Sequence, residues 1–104
     1  MAINNVALTT TAANIFVNTS GTSAITTIHL CNYSAGAITA NIYAVPASGI
    51  AGLSTIIYSN VTITAYNTLI INAEKFILGS AGDRIMANVS ANNTVTATVS
   101  SIGI

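Results

Sequence analysis

Hydrophobic and polar residues alternate with a period of two along most of this chain. From residue 24, one set of positions runs Ala24, Thr26, Ile28, Leu30 and the other Ile25, Thr27, His29, Cys31. Ile38, Ala40, Ile42 and Ala44 alternate with Thr39, Asn41, Tyr43 and Val45. Ile85, Ala87 and Val89 alternate with Met86 and Asn88, and Val95, Ala97 and Val99 with Thr96 and Thr98. Alternation of this length predicts strands with one buried face. The abundance of Thr and Ile supports the same reading, because β-branched side chains suit a pleated surface.

Turn residues separate these runs. Asn18-Thr19-Ser20-Gly21 follows Ile15-Phe16-Val17, and Asn32 to Gly36 forms a hairpin-type break. Residues 46–54, with Gly49 and Gly52, form the longest irregular stretch. Asn60 and Tyr66-Asn67 interrupt the middle of the chain, Gly79 to Asp83 reads as a mobile turn, and Ala91-Asn92-Asn93 joins the last two strands. Eight or nine strands result, at roughly 3–9, 14–18, 24–32, 38–45, 55–59, 61–64, 67–72, 84–90 and 95–102. A helix is conceivable only over Ala73 to Leu78, where a 3₁₀ turn or bulge fits equally well. The expected fold is all-β: one domain over 1–104, a two-layer antiparallel sandwich of jelly-roll or immunoglobulin-like type.

Composition then narrows the chemistry. The 104 residues include four charged ones, Glu74, Lys75, Asp83 and Arg84, and the net charge is zero. Ordinary domains are about 25% charged. No long-range field is available to steer a nucleic acid or an anionic membrane, so neither is an expected partner. A neutral surface favours association. It stays wet through Asn, Ser and Thr, or it is covered by neighbours. Trp is absent and Phe occurs twice, so the core is expected to consist of β-branched residues and alanine. No run of residues is long and apolar enough for a membrane span, and the opening Met1-Ala2-Ile3-Asn4-Asn5 is unlike a signal peptide.

Each candidate for catalysis or ligand binding is incomplete. Glu74 and Asp83 stand beside Lys75 and Arg84, which reads as a local polar cluster at the rim of the sandwich. His29 and Cys31 are two residues apart on one strand face, but a zinc site needs three or four ligands, and the sequence has no other His or Cys. The thiol is expected to be buried and inert, and the histidine to pack within or at the edge of the sheet. Gly79-Ser80-Ala81-Gly82 lacks the lysine and the helix of a phosphate loop. No cofactor or metal is expected, and no enzymatic activity. Asn-X-Ser/Thr occurs at Asn18, Asn32, Asn60, Asn88 and Asn92, as chance allows in a chain this rich in Asn, Ser and Thr. Tyr33 and Tyr66 fall in or beside turns, where they either meet a partner or cap the sandwich.

The run Ile28-His29-Leu30-Cys31-Asn32-Tyr33-Ser34, followed by Ile42-Tyr43-Ala44-Val45-Pro46, resembles small virion proteins of tailed bacteriophages, notably those of aquatic and cyanobacterial hosts. Those proteins carry a YLCN-type run and then a strand ending in Val-Pro. Ile57-Tyr58-Ser59-Asn60, Glu74 to Leu78 and the closing strand from Val95 to Ile104 extend the resemblance over nearly the whole chain. It departs at Gly79 to Asp83, where only Asp83 remains of an acidic turn. The resemblance implies a β-sandwich made in the host cytoplasm and incorporated into the virion. It further implies a capsid decoration (cement) protein, commonly trimeric, contacting the major capsid protein or other virion proteins.

Two expectations follow. In the first, the chain is a homo-oligomeric cementing subunit whose terminal strands, through Ile3, Val6, Ile102 and Ile104, contact neighbours. In the second, it is a tail, neck or fibre-tip module in which Tyr33 and Tyr66 contact a host glycan or protein.

Overall fold

The computed structural model describes residues 2–72 and 76–104. Its strands are β1 (Ala2–Ala7), β2 (Ala13–Val17), β3 (Ser23–Asn32), β4 (Ile38–Val45), β5 (Ile56–Ile63), β6 (Thr68–Ile71), β7 (Phe76–Leu78), β8 (Arg84–Val89) and β9 (Val95–Gly103). All pairings are antiparallel. One sheet runs β1-β9-β3-β6, with β7 also paired to β3, and the other runs β2-β8-β4-β5. β6 pairs with Ile28 to Cys31 and β7 with Ser23 to Ile25, so the two together make one interrupted edge strand.

The chain changes sheets at most of its connections, and β4 to β5 is a hairpin within one sheet. That connectivity is a jelly roll, the first of the two sandwich types expected. The connections fall at two opposite ends. Residues 18–22, 46–55 and 79–83 and the C-terminus lie at one, here called the terminal end. Residues 8–12, 33–37, 64–67 and 90–94 lie at the other, the far end.

The inward faces carry Ile15, Ile25, Ile28, Leu30, Ile38, Ala40, Ile42, Ile63, Ile85, Ala87, Val95, Ala97 and Val99, all buried. Phe16, Tyr58 and Phe76 pack only at the margin of this cluster. The core is therefore aliphatic, as composition implied. Small Ala40, Ala87 and Ala97 sit among larger Ile and Val side chains, which allows the two layers to interdigitate.

Three elements differ from the sequence reading. A bulge in β3 between Ile25 and Thr27 reverses the alternation there. Ile25, Ile28 and Leu30 face inward, while Ala24 pairs on the outer side and Thr26 is the extra residue, its hydroxyl donating to the Ser100 carbonyl (3.0 Å). A second bulge lets β5 run through Asn60 as one strand instead of two. Asn60 takes φ 51°, and its N–H donates to Asn41 Oδ1 (2.8 Å). Phe76–Leu78 is a strand instead of the end of a helix. Residues 73–75, including the Glu74–Lys75 half of the expected polar cluster, lie outside the described residues.

Two buried asparagines hold the loops at the two ends. Asn18 Nδ2 donates to the carbonyls of Gly21, Leu78 and Ser80, and its Oδ1 accepts from Ser23 Oγ. Asn32 Nδ2 donates to the carbonyls of Gly36, Ile63 and Thr64, and its Oδ1 accepts from Ser34 N and Oγ. Each side chain ties one sheet to the other. Each also satisfies backbone groups that a loop would leave unpaired away from water.

Candidate functional site

Most of the exposed aliphatic side chains gather toward the terminal end, Ile70 beside His29 in mid-sheet standing apart from them. Ile50 and Leu53, in the 46–55 connection, are 76% and 93% exposed. On the outer face of the first sheet, Ile77 and Ile102 flank Ala24 across the strands. Ala24 is buried although it points outward, because the two isoleucines cover it. Ile3 on β1, Ile57 near the start of β5 and Ile104 at the C-terminus are also exposed. A concentration of this kind marks an interaction surface more than scattered surface leucines would.

Ile3, Ile102 and Ile104 thus stand exposed, as the terminal-strand reading requires. Val6 does not, because it pairs with Ala97 on the inward face and packs against the core. β9 is flanked by β1 and β3, so of the two terminal strands β1 alone offers an open edge. Sequence reasoning missed Ile50, Leu53 and Ile77. The signal available was two large aliphatic residues inside a Gly-containing loop with no alternating partner.

The irregular segment that carries Ile50 and Leu53 is pinned from the 79–84 region. Asp83 accepts from the N–H groups of Ala47 and Ser80 (both 3.0 Å). The Arg84 guanidinium donates to the Gly49 carbonyl (2.7 Å) and to those of Gly82 and Pro46. The 79–83 turn is itself tied down, since Gly82 N–H donates to the Asn18 carbonyl (2.7 Å) and Asp83 N–H to that of Ser80. It is held by hydrogen bonds on both sides, unlike the loose turn that its Gly content suggested. Asp83 and Arg84 therefore act on backbone, as loop anchors. Beside them, Ala44, Val45, Phe76, Leu78 and Ile85 line an open depression of about 230 Å³.

Tyr33 and Tyr66 are at the far end, 49% and 71% exposed. Their loops are bonded to each other, with Tyr66 N–H donating to the Ser34 carbonyl (3.2 Å) and Asn32 N–H to that of Asn67 (2.9 Å). Tyr66 adopts φ 60°.

His29 and Cys31 lie on the outer face of the first sheet, both exposed. The thiol is thus open to solvent, contrary to expectation, because Cys31 alternates along β3 with the inward Ile28 and Leu30. His29 stands between Thr98 and Ile70, and Cys31 between Thr96 and Thr68. Among the described residues no group of three or more His, Cys, Asp or Glu side chains could hold a metal ion, and no helix is long and apolar enough to cross a membrane. On the second sheet, Asn41 Nδ2 and Tyr43 OH donate to Asn88 Oδ1, whose own amide reaches the Thr10 carbonyl. Asn18 and Asn32, the first two Asn-X-Ser/Thr sites, are enclosed and used structurally.

Comparisons with protein-family models, with curated proteins and with solved structures gave no match.

Proposed function

We propose that this chain is a non-enzymatic structural subunit of a phage virion, a capsid decoration or cement protein that works as a homo-oligomer, most simply a trimer. The observation that carries the reading is the division of the molecule into two unlike ends. The terminal end presents Ile50, Leu53, Ile77, Ile102 and Ile104, a surface suited to burial against other copies or the major capsid protein. The outer sheet faces are rich in Thr, Asn and Ser with almost no charge, so they can approach a neighbour at little electrostatic cost. Repetition on a symmetric lattice multiplies weak contacts, and a small neutral domain can then hold tightly without a deep pocket. The jelly roll is also used in capsid domains, although that fold hosts many functions.

The test is the double variant Ile50→Asp with Leu53→Asp. These side chains are almost wholly solvated in the monomer, so folding is expected to be unchanged while self-association and shell binding are lost. Full retention of both would remove the basis of the reading.

A second reading, a tail, neck or fibre-tip module that binds a host surface glycan or protein, is favoured by one observation of its own. The two exposed tyrosines share the far end, on loops bonded to each other.

A further inference from the structure

We propose that Tyr33 and Tyr66 form a shallow platform for an uncharged saccharide. This builds on the second reading above and is independent of docking through the terminal end. Three features of the far end converge on that ligand class.

The first is the pairing of the two loops that carry the tyrosines. The bond from Tyr66 N–H to the Ser34 carbonyl makes the two tyrosine-bearing loops neighbours. Tyr66 stands largely in solvent and Tyr33 about half so, which leaves a face of each ring open to a ligand.

The second is the backbone at Tyr66. Asn67 N–H donates to the Thr64 carbonyl (3.1 Å), closing a turn whose third residue is Tyr66, at φ 60°. A positive φ in a bulky residue is a genuine outlier, and Gly or Asn fills such a position with less strain. Among the described residues, Asn60 and Asn93 occupy the other positive-φ positions outside glycine. A tyrosine held there, with its ring exposed, contributes nothing to the core that would explain its presence. Strained and exposed residues of this kind point to a role in contact.

The third is the absence of charge. The described charged residues, Asp83 and Arg84, are at the opposite end, committed to loop carbonyls and N–H groups. The same end holds neutral hydroxyls and amides, with the Asn67 amide donating to the Thr64 hydroxyl and the Thr94 hydroxyl to the Ala91 carbonyl, each group keeping further hydrogen-bonding capacity. A pyranose ring has an apolar C–H face and a rim of hydroxyls. A tyrosine face meets the first, and neutral donors and acceptors meet the second. Among the described residues no counter-charge stands here for an anionic ligand. A protein partner engages roughly 800 Å² of surface, whereas a sugar ring engages only the faces of one or two side chains. Single-site affinity is accordingly weak, and many copies on one particle would raise it by avidity.

The experiment uses the whole chain and soluble neutral oligosaccharides: β-1,4-glucan, β-1,4-N-acetylglucosamine, α-1,4-glucan and α-mannan oligomers. Because Trp is absent, intrinsic tyrosine fluorescence reports binding directly, and amide chemical shifts locate it. At least one oligomer is expected to bind with a Kd of about 0.1–5 mM, shifting residues 33–36 and 64–67. Tyr66→Gly is expected to weaken binding about tenfold or more while leaving the melting temperature unchanged or raised, since glycine accepts the positive φ. Tyr66→Phe keeps the ring and is expected to retain most of the affinity. The double variant Ile50→Asp with Leu53→Asp is expected to bind sugar as the parent does, which separates this result from the docking test. The proposal is overturned if no oligomer binds at about 10 mM, if the shifts map elsewhere, or if Tyr66→Gly with Tyr33→Ala binds unchanged. Saturable binding of a peptide at the same loops, without sugar binding, overturns it as well.

Discussion

Replacing Asn32 with alanine should be among the most damaging single changes available to this domain. Its side chain is fully enclosed and makes five hydrogen bonds. Three are donated to the carbonyls of Gly36 (2.9 Å), Ile63 (2.9 Å) and Thr64 (3.1 Å), and two are accepted from Ser34. Truncation leaves the Ile63 carbonyl without its donor in a buried setting, at a cost of about 1–3 kcal/mol. The other four contacts are nearer the surface, where water partly replaces the amide, and together they add about 2 kcal/mol. The expected loss is about 3–5 kcal/mol out of a total of about 5–15 for a domain of this length. With a urea m-value of about 1.2 kcal/mol/M, the midpoint falls by about 2.5–4 M. Urea titration followed by far-UV circular dichroism, at one protein concentration throughout, measures it. Asn32→Asp should do no better, because it sets a carboxylate against three carbonyl oxygens. Ser34→Ala, which leaves the amide donors in place, should cost about 1 kcal/mol. A loss below about 1 kcal/mol for Asn32→Ala, with m unchanged, would refute the idea that this residue joins the two sheets.

Further outcomes follow from the same geometry. Asn18→Ala should destabilise by a similar amount, and its effect should add to that of Asn32→Ala within about 0.5 kcal/mol because the two sites lie at opposite ends. Asp83→Ala removes the acceptor for Ala47 and Ser80 N–H. It should lower stability by about 1 kcal/mol and increase protease cleavage within 46–55, detected by mass spectrometry. Cys31 is exposed, so a thiol reagent should label it in the native state at close to the rate of the urea-unfolded chain. Cys31→Ser should change stability by no more than about 0.5 kcal/mol.

Much of the architecture was legible because the core-forming positions repeat strictly. Ile38, Ala40 and Ile42, Ile85, Ala87 and Val89, and Val95, Ala97 and Val99 are all inward, as their alternation requires. The reading slipped where one extra residue breaks the period. At β3 the bulge around Thr26 sets Ile25 on the inward face with Ile28 and Leu30 and turns Ala24 outward, and at Asn60 another bulge joins two apparent strands into one. Bulges leave little mark in composition, because the extra residue need be neither Gly nor Pro. Phe76–Leu78 was obscure because three residues define neither period, and only pairing with Ser23 to Ile25 makes them a strand. The loops were misjudged in another way. Asn18 and Asn32 looked like ordinary turn residues, yet they are buried anchors, and only the positions of distant carbonyls reveal it. Of the proposed contacts, Ile3, Ile102, Ile104, Tyr33 and Tyr66 are exposed, whereas Val6 faces the core. That these residues divide between two ends depends on the jelly-roll connectivity, which no local pattern encodes.

The division of ends is the centre of this account, and a reconstruction of the particle in which the proposal places the protein tests it most directly. Density for this sandwich should repeat across the shell in symmetric clusters, with Ile50, Leu53 and Ile102 against the capsid or neighbouring copies and Tyr33 and Tyr66 facing outward. A particle without the protein, or one carrying only a few copies away from the shell, would contradict it.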